Sequence, residues 1–149
     1  MHHYRKWYLL VGVAALLVGV LYYTRCRQEP PALLGWLAGG VPQGGCGGLP
    51  YAANSLPTFV HVLGFSLISG AFVGRSPVLL LGCSLFWCFI NVLFEMLALL
   101  LASEVGPEFM TLGEFDPLDI LAAFAGALCA LFIMFAITHN LNQSGRIMK

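Results

Sequence analysis

Charge is what this chain has least of. Asp, Glu, Lys and Arg make up 9% of its 149 residues, against about 25% in an ordinary soluble domain, and a water-soluble globule is excluded on that ground. The seven basic residues only balance the seven acidic ones and form no basic patch, so the electrostatic footprint needed for nucleic acid is missing and no nucleic-acid partner is expected. Cysteine is present without a metal-binding pattern: there are five, with no CxxC and no Cys/His spacing of a zinc site. No internal repeat is evident, and four spans with short loops leave no room for an added soluble catalytic domain.

What the chain has in quantity is apolar surface. Hydrophobic residues make up 59% of it, with 17 glycines and a mean hydropathy of +0.85. This composition predicts an all-α integral membrane protein, a single four-helix membrane domain over residues 1–149. The first span is expected at about 7–24, bracketed by Arg5-Lys6 and by Arg25 and Arg27, with Trp7, Tyr8, Tyr22 and Tyr23 as interfacial belts. A signal peptide also begins with a basic stretch and an apolar core, but no small-x-small cleavage site follows this one, which favours a retained helix.

A loop over 25–56 comes next, because Pro30, Pro31, Pro42, Pro50 and the run Gly44-Gly45-Cys46-Gly47-Gly48 admit no regular span. Within it Ala32 to Val41 is apolar but only half a span long, and reads as a short helix lying at the interface or tucked back onto the bundle, anchored by Trp36. Spans two and three are expected at about 57–74 and 77–101. Only Arg75-Ser76 links them, which dictates an antiparallel hairpin. The fourth, at about 117–138, carries the small-residue run Ala122 to Ala127, of the kind that lets membrane helices approach closely. An acidic loop, 102–116, precedes it.

Four spans place both termini on one side. Arg5, Lys6, Arg75, Arg146 and Lys149 fall there, against Arg25 and Arg27 opposite, so the positive-inside rule predicts N-in and C-in. Cys26 and Cys46 then share the outer, oxidising side, where they form either one disulfide or two separate thiols.

Four polar residues interrupt the apolar spans: His61, Asn91, Glu95 and Asp119. Each is costly in hydrocarbon. Counted from the outer span ends at 1.5 Å per residue, His61, Glu95 and Asp119 lie roughly 3 to 9 Å deep, which predicts one polar layer. Asn91 and Glu95, spaced i, i+4, share a helix face that would turn toward His61. Such a layer glues helices together, binds a ligand or headgroup, or serves catalysis as an acid/base pair, for which no Ser or Cys is placed beside it as a nucleophile. Asp116-Pro117-Leu118-Asp119 reads as a helix start, with Asp116 as cap and an acidic residue in the first turn.

His61 in Pro57-Thr58-Phe59-Val60-His61-Val62-Leu63-Gly64-Phe65, Glu95 in Asn91-Val92-Leu93-Phe94-Glu95, and Phe115-Asp116-Pro117-Leu118-Asp119-Ile120-Leu121-Ala122 with Gly126 together resemble the VanZ-like family of small bacterial membrane proteins. The similarity covers Leu56 to about Leu131. Two departures stand out: Leu97 to Leu101 and an all-acidic loop replace the family's usual Gln and Arg, and Ala122 and Ala123 replace its frequent Asn. The resemblance implies four spans in a bacterial inner membrane and an association of the founding member with teicoplanin resistance.

The expectation that follows is a multi-pass, non-enzymatic accessory or interaction subunit with no cofactor and no metal. Its partners would be membrane lipids and another membrane protein. The alternative is an outer-leaflet protein binding a lipid or antibiotic through His61, Glu95 and Asp119.

Overall fold

The computed structural model describes residues 3–26, 54–104 and 116–147, and within them the chain is helical apart from short links. The helices are α1 (His3–Cys26), α2 (Leu56–Val73), α3 (Pro77–Glu104) and α4 (Pro117–Ile147). Most of the Gly/Pro-rich loop, including Ala32 to Val41 and Cys46, and most of the acidic loop lie outside the described residues. Proline falls at helix starts, where the missing N–H costs nothing: Pro57, Pro77 and Pro117 each stand in a first turn. Gly74 closes α2 with φ +92°, a backbone conformation that a residue with a Cβ rarely adopts. The three-residue link Gly74-Arg75-Ser76 then reverses the chain.

Each helix holds a stretch long and apolar enough to cross a bilayer: Tyr4–Cys26, Leu56–Val73, Pro77–Leu100 and Pro117–His139. Together they suggest a multi-pass membrane protein. The shortest, 18 residues, spans about 27 Å, close to the thickness of a hydrocarbon core. Three helices run past the apolar stretches read from the sequence: α1 begins at His3, α3 continues to Glu104 and α4 to Ile147. A helix ends where its backbone hydrogen-bond ladder is broken, not where it leaves hydrocarbon; with no proline after Pro117 the ladder carries on through polar residues.

α2 is the hub. Half of its apolar window is buried inside the protein, a larger share than in any other described span, and it packs on all three neighbours. Glycine makes this possible. A Cβ added to Gly12 of α1 would lie 2.9 Å from the Gly64 carbonyl oxygen of α2, and one on Gly64 would lie 2.9 Å from that of Gly12. On the α4 side, a Cβ on Gly126 would meet the Phe59 carbonyl oxygen at 2.6 Å. Gly126 belongs to a buried stripe of α4 with Ala123, Ala127, Ala130 and Met134. Small residues at such positions let backbones approach and gain the dispersion contacts that must replace the hydrophobic effect between helices in lipid.

Two cores result. One joins all four helices through Tyr4, Tyr8, Leu67, Ala71, Leu80, Ala130 and Met134. The other gathers Val62, Cys88, Ala123 and Ala127 between α2, α3 and α4. Tyr8, expected in the aromatic belt, is fully buried. Its hydroxyl donates to the Met134 carbonyl at 2.8 Å and lies 2.9 Å from Thr138 Oγ1, fastening α1 to α4. Trp7, its neighbour, is exposed as a belt residue should be. The outer flanks carry exposed Leu10, Leu17, Phe72, Phe89, Leu128 and Phe132, an apolar mantle of an extent that water-soluble monomers avoid.

Three buried serines, Ser55 just ahead of α2, Ser66 within it and Ser84 in α3, have hydroxyls without a hydrogen-bond partner. Ser66 and Ser84 are fully buried in mid-helix. An unpaired buried hydroxyl costs about 1 to 3 kcal/mol, so Ser66→Ala and Ser84→Ala should each raise the thermal midpoint of the detergent-solubilised protein. A midpoint lowered by either change would show that its hydroxyl is bonded.

Candidate functional site

The polar residues cluster at the end of the bundle where α3 finishes and α4 starts. α4 opens on Asp116, which caps it: the Leu118 N–H donates to Asp116 Oδ1 at 2.9 Å, and the Asp119 N–H to the Asp116 carbonyl at 2.9 Å. This arrangement serves two of the amides that a helix start leaves without intrahelical acceptors. In a capping box, an acidic side chain three residues into the helix returns to the amide of the capping residue. Asp119 occupies that position here, and the Asp116 N–H donates to Glu95 Oε2 of α3, at 3.3 Å. A carboxylate from another helix thus helps complete the cap and ties α3 to α4.

Glu95 and Asp119 are both half-buried, and Asp116 and Asp119 lie within electrostatic reach of Glu95. Three carboxyl groups therefore gather at one helix N-terminus, where the positive end of the helix dipole and the free amides offset part of their repulsion. Of the four residues expected to share a layer, the structure brings Glu95 and Asp119 together here.

Asn91 and His61 are placed differently. The Asn91 side chain donates to the Trp87 carbonyl one turn back in its own helix, at 2.9 Å. His61, half-buried on α2, has its Nε2 3.9 Å from where a Cβ on Gly19 of α1 would stand. Its ring lies 6.1 Å from that of Phe65, and Phe65 stacks on Trp87 of α3 at 4.7 Å. The Trp87 indole donates to Ser69 Oγ at 2.9 Å. His61 thus stands at one end of an aromatic bridge between α2 and α3. In the sequence Trp87 stands among apolar neighbours, Phe86, Phe89 and Ile90, and nothing in their spacing sets it apart. The available signal was an indole N–H in hydrocarbon, which needs an acceptor.

Cys26, at the end of α1, is disulfide-bonded; Cys46, with which the sequence allowed either a bridge or two separate thiols, lies outside the described residues. Cys83, Cys88 and Cys129 are free thiols within the spans. Among the described residues, no three His, Cys, Asp or Glu side chains are grouped to hold a metal ion.

Compared with known proteins, the chain matches no family model, no curated protein and no solved structure.

The bond from the Asp116 amide makes Glu95 substitutions informative. Glutamine keeps a carbonyl acceptor and removes one charge from a crowded acidic group, so Glu95→Gln should keep or raise the thermal midpoint. Leucine removes the acceptor, and Glu95→Leu should lower stability by about 1 kcal/mol. Equal stability for the two variants would dismiss the clasp.

Proposed function

We propose that this is a non-enzymatic, VanZ-like protein of the bacterial inner membrane, with both termini inside, that serves as an accessory or interaction subunit of a larger membrane complex. The observation that carries the reading is the bond between Glu95 and the Asp116 amide. It employs the most conspicuous ionisable group of the spans in joining two helices, a structural role. The orientation is supported by the basic residues Arg5, Lys6 and Arg75 near one end of the bundle. The disulfide at Cys26, at the opposite end of α1, supports it independently, since such bonds persist on the oxidising side.

The rival reading is an outer-leaflet site for a lipid or antibiotic that uses His61, Glu95 and Asp119. The electrostatic proximity of Asp119 and Glu95 is the observation in its favour. Purification of the tagged chain from its native membrane in mild detergent, followed by native mass spectrometry, separates the two. The subunit reading expects a stoichiometric protein partner that Glu95→Gln and His61→Ala retain. A lone chain or homo-oligomer carrying a defined lipid or antibiotic that both variants lose would overturn it in favour of the rival.

A further inference from the structure

The opposite end of the bundle is built differently. In chain order, every Asp and Glu falls in the second half of α3, at the start of α4, or in the two long connections. None belongs to the first turn of α1 or to the Gly74-Arg75-Ser76 link, which meet at the other end. There the Arg75 guanidinium carbon stands 4.8 Å from the centre of the Tyr4 ring and that of Arg5 stands 6.0 Å from it. Arg5 Nε also donates to the Tyr4 hydroxyl at 3.3 Å. Tyr4 itself is buried in the four-helix core, while the neighbouring Lys6 is exposed.

Two guanidinium groups gathered about one ring concentrate positive charge at a single place on this end of the bundle. Their fixed forks present several N–H donors in a small volume, the geometry that suits phosphate oxygens. The position is fixed by the fold: a three-residue link between two spans, and the first turn of a third, must lie at the membrane surface at headgroup level.

We infer that Arg5 and Arg75, held about the Tyr4 ring, form a binding site for the phosphate of an anionic phospholipid in the leaflet at this end of the bundle. The site lies at the other end from Glu95 and rests on the multi-pass reading alone. Tyr4 is the platform: by anchoring both cations to the core it fixes them in place before the lipid arrives, which lowers the entropy lost on binding. Lys6 adds charge without geometry.

The test uses the full chain reconstituted in phosphatidylcholine vesicles, with or without phosphatidylglycerol, reading the thermal midpoint and the lipids retained in native mass spectrometry. Phosphatidylglycerol should raise the midpoint and be retained in preference. Arg75→Gln should weaken that preference roughly fivefold, and the Arg5→Gln/Arg75→Gln pair should weaken it by about that factor again. Arg25→Gln, at the other end, should leave it unchanged. Three results would overturn the inference: equal midpoints and retention in the two kinds of vesicle, a double variant that keeps the full preference, or inorganic phosphate in detergent alone reproducing the stabilisation. Should the double variant not accumulate, Arg75→Gln alone decides, because it leaves Arg5 on the ring.

Discussion

The fold depends on how closely two backbones can approach α2. Within a bilayer, burying one leucine against another gains little over burying it in lipid, so helices adhere through close contact and hydrogen bonds. At Gly12, Gly64 and Gly126 the distance to the facing carbonyl or side chain is below what any Cβ would tolerate. These positions fix where α1 and α4 lie on α2, and much else follows. Once α1 is seated, Tyr8 reaches the Met134 carbonyl. With α4 held on α2, its first turn meets the end of α3, and the Asp116 amide finds Glu95.

Much of this was legible in the chain. Apolar runs of about 18 residues or more separated by proline, glycine and charge leave little choice but spanning helices, and the short link around Arg75-Ser76 forces the α2 and α3 hairpin. Asp116-Pro117 announces the start of α4, because capping chemistry is local and needs only neighbouring residues. The small run Ala122 to Ala127 signals close packing for the same reason.

The rest depended on which helix faces which, and that is not a local property. Glu95 was recognisable as out of place, but its partner is a backbone amide, and every residue except proline carries one; the sequence offers no mark on the one chosen. Tyr8 looked like a belt residue because tyrosine suits both an interface and a buried hydrogen bond. Its stripe with Tyr4, Gly12 and Gly19, at helical spacing, was the clue to the buried face of α1. Ser66 and Ser84 gave no signal, since serine is tolerated almost anywhere in a membrane helix.

Gly126 offers the most direct test of the central claim, measured against Gly82, a helical glycine of α3 with nothing within 4 Å of an added Cβ. The measurement is the thermal midpoint of Gly126→Leu beside that of Gly82→Leu in the same detergent. Close backbone contact predicts a Gly126→Leu protein less stable by about 1 to 3 kcal/mol or more and a Gly82→Leu protein indistinguishable from the parent. Equal midpoints for the two variants would contradict the account, because α4 would then not depend on its close approach to α2.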